Sequence, residues 1–395
     1  MNILFVTWDG PQTNYLSSLF LPIFKGLVEM GFSVSVLQFT WDNQDKIQSN
    51  AAICAKSDIN YNPVKVLRKP SAALGSLISA WHGKKHIADM VKQYNIDIVM
   101  PRSTLPALAS MLATKKTEFK LLFDADGLPL DERVDFAGSN PTSIVHRVMR
   151  DIEQQAIVRA DAVITRSSVA SNILRHRAGA GVSVDKYFEV SNGRSKEVFK
   201  PLGHDNRNAI RKALNISDSA PIIVYAGSLG PQYCMQQMFS FYNKIKIMLP
   251  DTKLLILSSE FSAFKDIAKS DKSVIYKALN PSEIPKYLSA SDIGLAIREP
   301  RFSMQGVAPI KLGEYLMCGL PVIATEGVGD TKMITDKAGF LLRENSELQL
   351  KKAAEWFTHC FKAKPDEDYI ATIGVKHFSL ENTVEQYAAA IQFIK

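Results

Sequence analysis

The chain has 395 residues, of which 46% are hydrophobic and 22% charged. These proportions exclude disorder over any large part of it, and the length exceeds what one core usually organises, so two domains are expected. The formal charge of +7 suits an anionic substrate or surface, but no dense Lys/Arg block with interleaved aromatics accompanies it, which argues against nucleic acid.

Short aliphatic runs alternate with longer helical patterns from the first residues onward. Ile3 to Thr7 reads as a buried strand, Tyr15 to Met30 as an amphipathic helix ended by Gly31, and Ser33 to Phe39 as the next strand. Further strands are predicted at Val64 to Arg68, Ile96 to Met100, Lys120 to Phe123, Ala162 to Thr165 and Tyr187 to Val190. Helices are predicted between them, notably over Leu77 to Tyr94, Pro141 to Arg159 and Ser168 to Arg177. After Phe199-Lys200-Pro201 the rhythm restarts. The second series places strands at Ile222 to Ala226, Lys253 to Leu257, Val274 to Tyr276, Ile293 to Ile297, Pro321 to Ala324 and Gly339 to Leu342. Strands joined by crossovers of this length imply parallel sheets covered by helices on both faces. The expected organisation is an α/β chain of two doubly wound, Rossmann-like domains. They are an N-terminal domain over 1–200, a C-terminal domain over 201–378, and a last helix over 379–395 returning to the first.

No apolar run reaches the roughly 18–20 residues of a membrane span, and the first residues run straight into a strand pattern without a basic leader. Cys54, Cys234, Cys318 and Cys360 lie far apart with no CxxC spacing. They imply reduced thiols in a cytoplasmic protein and give neither a metal site nor a disulfide framework. His82 and His86 stand four apart without a third ligand, so packing is the better reading. The helix over Leu77 to Tyr94 carries Lys84, Lys85, Lys92 and Trp81. It reads either as a solvated face or as a peripheral contact with the inner membrane surface.

In open parallel sheets, ligands collect at the carboxyl ends of strands, where helix N-termini attract anions. One string has the parts for a diphosphate: Ala308-Pro309-Ile310-Lys311-Leu312-Gly313-Glu314-Tyr315-Leu316-Met317-Cys318-Gly319-Leu320-Pro321-Val322-Ile323-Ala324. Gly306, Val307 and Ala308 make a small-residue loop, and Pro309 opens a short helix with Lys311 and Glu314 on one face. A Lys there adds positive charge, and a carboxylate can accept both hydroxyls of a ribose. Taken alone, Lys-x-x-Glu is more often a solvated ion pair on a surface helix.

The string does not stand alone. It resembles the donor-site signature of GT-B glycosyltransferases, especially family 4-like (group 1) enzymes of bacterial surface-polysaccharide synthesis. Asn280 to Ala296 resembles the helix–strand pair leading into that site, and Ala160-Asp161-Ala162-Val163-Ile164-Thr165-Arg166-Ser167 a strand end of the family. Val190-Ser191-Asn192-Gly193, ending in Phe199-Lys200-Pro201, resembles its inter-domain stretch. The resemblance covers nearly the whole chain with its motifs in order.

It implies two domains facing across a cleft and a nucleotide diphosphate sugar as donor substrate, with no cofactor and no metal. Glu314 is implied on the ribose and Lys311 on the diphosphate. Gly227, Ser228 and Gly230 form the glycine loop after the first strand of the C-terminal half; Gly306, Val307, Ala308 and Pro309 are expected to offer backbone to the donor. Two departures stand out. Gly306 occupies the position of the family's first Glu, and Pro231, Gln232 and Tyr233 replace the usual phosphate-gripping cations. Arg298, ending a strand, is the candidate to restore that charge, or else an exposed loop Arg. Stabilising the leaving diphosphate is the main catalytic task such a site performs.

The acceptor side is less readable. Asp9 and Gly10 follow the first strand, Arg102 follows another, and Phe123-Asp124-Ala125-Asp126-Gly127 resembles an acidic stretch of a polysaccharide-synthesis subgroup. Asp124 and Asp126 either orient or deprotonate an acceptor or form an Asx-type turn around Gly127. The implied reaction transfers a sugar, with retention, to a hydroxyl of a saccharide or lipid-linked saccharide. A GT-B-fold sugar-nucleotide epimerase and a catalytically decayed nucleotide-sugar-binding module are the alternatives.

Overall fold

The computed structural model describes residues 1–179, 181–260, 271–331, 334 and 337–395. It divides into two compact units, Met1–Ser191 with Thr383–Lys395, and Asn192–Asn382. The second unit therefore begins ahead of residue 200, taking in the Asn192 to Pro201 stretch.

In the first unit, β1 (Asn2–Asp9), β2 (Ser33–Thr40), β3 (Asn60–Lys65), β4 (Ile98–Pro101), β5 (Lys120–Asp124), β6 (Ala162–Thr165) and β7 (Tyr187–Glu189) form one parallel sheet. Its order is β3-β2-β1-β4-β5-β6-β7. In the second, β8 (Ile222–Ala226), β9 (Lys253–Leu257), β10 (Val274–Lys277), β11 (Ile293–Ala296), β12 (Val322–Thr325) and β13 (Gly339–Leu342) pair in parallel in the order β10-β9-β8-β11-β12-β13. The central strands are buried along their whole length, as aliphatic runs between helices on both faces should be. The strand expected over Val64 to Arg68 lies earlier, at β3. Asn60, Asn62 and Pro63 hide it from a hydrophobic pattern, and Pro63 is tolerated because β3 is an edge.

Helices start where short polar side chains cap them. Ser71, Ser143 and Ser167 each accept from an amide three residues on, opening Ala72–Gln93, Ile144–Arg159 and Ser168–Ala178. The helix starting at Leu21 is preceded by one π turn over Leu16–Phe20. Ile310–Met317 packs against Glu367–Phe378 through glycines. A Cβ on Gly374 would lie 2.4 Å from the Met317 amide nitrogen, and one on Gly313 would lie 2.6 Å from Phe378 Cβ. Because the first obstacle is backbone, Gly374→Ala is expected to cost about 1–3 kcal/mol of stability, read as a lower midpoint in chemical unfolding. Unchanged unfolding would mean that the two helices part without penalty.

In each sheet the direction of winding reverses beside one strand, at β1/β4 and at β8/β11. Crevices at such reversals are where open parallel sheets bind ligands. The ends of those four strands carry Asp9 and Gly10, Arg102, Gly227, and Arg298.

Candidate functional site

In the second unit the β8 and β11 ends meet the start of Ile310–Met317. Lys311 is not a solvated residue: it is 8% exposed, and its Nζ donates to Tyr225 Oη at 2.7 Å. The same Nζ lies 4.1 Å from the Tyr225 ring centroid and 3.9 Å from that of Tyr233. Tyr225 Oη in turn donates to the Ser228 carbonyl, which shapes the glycine loop. Burial, reinforced by the Arg298 charge, holds the Lys311 ammonium well below its usual range, and the nearby Glu314 only partly offsets this.

Arg298 is half-buried and stacks over Tyr233 at 4.9 Å, so it is not a free loop arginine. Its carbonyl accepts from Thr325 and Asn345, fixing its backbone. Among the described residues neither Lys311 nor Arg298 forms an ion pair with a carboxylate. Two cations are thus gathered on two tyrosines, with no described carboxylate ion-paired to either. The arrangement is costly unless an anionic ligand completes it.

Gly227 lies against this cluster. At φ +131 its backbone suits glycine, and a Cβ there would stand 2.9 Å from Lys311 Nζ. Gly227 and Ser228 are exposed, and Gly230 accepts from the Tyr233 amide. Pro309 is the N-cap rather than the first helical residue, and no side chain caps the helix, which leaves first-turn amides for a ligand. The small-residue loop differs from the expectation. Gly306 ends a 3-10 turn, the Val307 amide is turned back onto the Met304 carbonyl at 3.4 Å, and the Ala308 carbonyl accepts from Asn192 at 3.2 Å. Val307 therefore has no amide to spare.

Glu314 does not pair with Lys311. Its Oε1 accepts from Arg194 Nε at 2.8 Å, and Arg194 is itself anchored by backbone bonds to Phe378 and Leu380. Glu314 Oε2 meets no described residue within hydrogen-bond reach, so a ligand hydroxyl can still approach it. Glu299, next to Arg298 after the end of β11, is engaged by Cys234 and Arg301. Arg194, Tyr225 and Tyr233 are parts of this site that the sequence did not single out as such. Their signals, a basic residue after Asn192-Gly193 and two aromatics flanking a glycine loop, are weak by themselves.

In the first unit the expected residues also converge, with one reassignment. Asp124, at the end of β5, is fully buried and accepts from Arg166 Nη2 at 2.6 Å, Tyr387 Oη at 2.9 Å and the Asp126 amide at 3.0 Å. It forms the Asx-type turn and has no accessible edge, so its place is as a buried anchor for Arg166 rather than at an acceptor. Asp126 is the partly accessible acid. Its φ of 53 is left-handed, a region Asp tolerates, and its carboxylate meets Arg102 at 2.5 Å and Arg166 at 3.8 Å. Burial pushes the Asp126 carboxyl up, against the pull of both arginines. Arg102, held over Tyr15 and Phe20, also reaches Asp9 at 3.9 Å. Asp9 is buried and accepts from Thr7 and Gln38. Gly10 packs on Trp41, and Lys46 grips the carbonyls of Gly10, Pro11 and Thr13. Asp9, Arg102 and Asp126 face a chamber of about 250 Å³.

The four cysteines are free thiols, and burial pushes Cys54 and Cys360 up to about 11 and Cys234 and Cys318 up to about 12. Among the described residues no group of three His, Cys, Asp or Glu is placed to hold a metal, and no helix is long and apolar enough to cross a membrane.

Residues 206–370 match the family model described as "Glycosyl transferases group 1". A putative teichuronic acid biosynthesis glycosyltransferase of Bacillus subtilis (strain 168) is 23% identical over 191 residues, which is 47% of this chain and 46% of that relative. The match thus spans about half the length of the curated relative. A glycosyltransferase structure from Rickettsia africae superposes with a TM-score of 0.76 at 18% identity, covering 100% of this chain and 98% of that one. Anabaena HepE, solved in complex with UDP, gives 0.73 at 14% identity, covering 99% and 100%. The fold is the GT-B fold, with two Rossmann-like α/β domains.

Proposed function

From the premise that the chain is of the group 1 glycosyltransferase type, with that family's domain over 206–370, we propose that it moves a sugar from a nucleoside-diphosphate sugar to a hydroxyl of a saccharide or lipid-linked saccharide. The context is synthesis of a surface polysaccharide, and the anomeric configuration is retained. One observation carries the reading above the others: Lys311 and Arg298 are held on Tyr225 and Tyr233 at the β8/β11 reversal, and among the described residues neither is ion-paired to a carboxylate. As the anomeric C–O bond breaks, charge builds on the leaving diphosphate, and a preorganised, desolvated cation pair stabilises that charge. Glu314 accepts ribose hydroxyls through Oε2 while Arg194 fixes its orientation. The acceptor belongs to the first unit, with Asp126 and Arg102 orienting its hydroxyl. The UDP in the HepE structure makes UDP the first nucleotide to try.

Titration calorimetry with UDP, GDP, ADP and their sugar conjugates tests this. One diphosphate nucleotide should bind, and Glu314→Ala should weaken it by about 1–3 kcal/mol, as loss of a charged acceptor does. If no nucleotide binds, or the variant binds like the wild type, the donor site is elsewhere.

A further inference from the structure

Ile310–Met317 sets the order in which a nucleoside-diphosphate sugar lies on the second unit. Glu314, where the ribose is proposed to sit, is separated from the N-cap Pro309 by roughly 7–8 Å of helix axis, at 1.5 Å per residue. A ribose at Glu314 thus puts the phosphates at Lys311 and the first-turn amides. The sugar then falls past Pro309, toward the Val307-Ala308 link and the 3-10 turn over Phe302–Gly306. Phe302 to Ala308 contains no acidic residue. What reaches this turn is a cation: Arg298 Nη1 points at Met304 Sδ, 3.6 Å away. A thioether is a weak acceptor and leaves the guanidinium edge available to a better one. The plane of that guanidinium is held by the Tyr233 ring, and its main chain is clamped on both sides. The Arg298 amide donates to Thr325 Oγ1 at 3.0 Å, and its carbonyl accepts from Asn345 Nδ2 at 2.7 Å. Glu299, next in sequence, is engaged by Cys234 and Arg301, and Glu260 accepts from the Leu229 amide of the glycine loop at 3.0 Å. A hexose hydroxyl both donates and accepts, whereas a guanidinium only donates. A rigid fork of donors, ion-paired to none of the described carboxylates, suits a planar anionic group on the sugar.

We infer that the donor sugar is acidic: a hexuronic acid whose carboxylate lies against the Arg298 guanidinium while its anomeric oxygen stays on the diphosphate at Lys311. Arg298 then spans the diphosphate and the carboxylate, which the five N–H donors of a guanidinium allow. A neutral hexose would meet the same edge only with hydroxyl acceptors, in bonds about half as strong as those to a carboxylate. Naming the sugar in this way rests on the donor-site reading above.

The probes are a nucleoside-diphosphate glucose and the matching glucuronate, which differ only in a hydroxymethyl group against a carboxylate. UDP-glucose and UDP-glucuronate serve if UDP is the nucleotide that binds, and the same pair on another nucleoside otherwise. Calorimetry on the wild-type chain should show the glucuronate bound about tenfold or more tighter. Arg298→Gln should bring the two affinities to within about twofold of each other, and Arg298→Lys, which keeps the charge but not the fork, should retain part of the gap. Binding of the free nucleoside diphosphate by each variant reports that the site is still formed. Equal wild-type affinities for the two sugars, or tighter binding of the glucose, overturn the inference and leave the donor-site reading standing. A gap that survives Arg298→Gln overturns it as well, because the acidic group is then held elsewhere. If the wild type binds neither nucleotide nor nucleotide sugar, the donor-site reading itself fails, and the naming of the sugar falls with it.

Discussion

Lys311→Met is expected to weaken nucleoside-diphosphate binding thirtyfold or more and, in the same protein, to raise the stability of the unliganded chain. Both effects follow from one placement. The ammonium is 8% exposed, rests on two tyrosine faces and one hydroxyl, and faces a second cation, Arg298. Replacing a poorly compensated buried charge by an apolar side chain of similar length is often worth about 1–4 kcal/mol to the folded state. Tyr225 keeps a partner in the Ser228 carbonyl, so the substitution orphans no hydroxyl. Losing a buried charge that meets a ligand charge costs about 2–5 kcal/mol of affinity, thirtyfold or more. Opposite signs for stability and binding are the signature of a residue kept for a ligand. A variant with wild-type affinity, or one that is destabilised, would show that Lys311 serves the core instead.

The same residue sets a pH dependence. Its folded-state pKa is depressed, so between that value and the unfolded value near 10.4 the unfolded chain binds more protons, and stability rises with pH. Below the folded pKa the penalty is fully present. The stability gain of Lys311→Met should therefore be largest at low pH and shrink as pH climbs toward 10. A bound diphosphate favours the ammonium, so binding should weaken with rising pH and take up protons. Calorimetry in buffers of different ionisation enthalpy reads this uptake, which should vanish in the variant.

What could be read from the sequence was whatever is local. Aliphatic runs such as Ala162 to Thr165 or Ile222 to Ala226 mark central strands because nothing else tolerates burial on both faces. β3 escaped because an edge strand need not be apolar. In the site, the Lys311–Glu314 spacing correctly suggested one helix face, but not that the two would ignore each other. Glu314 is satisfied by Arg194, 120 residues away, and Lys311 by Tyr225, 86 residues away. The Asp124–Asp126 spacing held both of its readings at once, the turn and the open carboxylate. Which acid is buried depends on Arg166 and on Tyr387 in the last helix, and no window of sequence contains all four.

That buried set gives the other large effect. Asp124→Asn is expected to destabilise the first unit by about 3–5 kcal/mol, because it removes the carboxylate that compensates a buried guanidinium. Arg166 is 6% exposed, its Nη2 is shared between Asp124 and Tyr387, and its nearest remaining acid, Asp126, stands 3.8 Å from Nε. The Asp124 charge and the Tyr387 hydroxyl hold the Arg166 pKa above its ordinary value in spite of burial. Tyr387→Phe leaves the ion pair in place and should cost less, about 1–3 kcal/mol, for the hydroxyl's two buried hydrogen bonds, one to Asp124 and one from Arg166. The effect should be confined to one unit, since Trp8, Trp41 and Trp81 lie in the first and Trp356 in the second. Tryptophan fluorescence followed through urea unfolding therefore reports mainly the transition in question. If Asp124→Asn unfolds like the wild type yet loses sugar transfer, Asp124 acts on the substrate and the buried-anchor account fails. If it unfolds early while nucleotide binding to the second unit is unchanged, the acid is structural, and Asp126 is left as the carboxylate that can meet an acceptor.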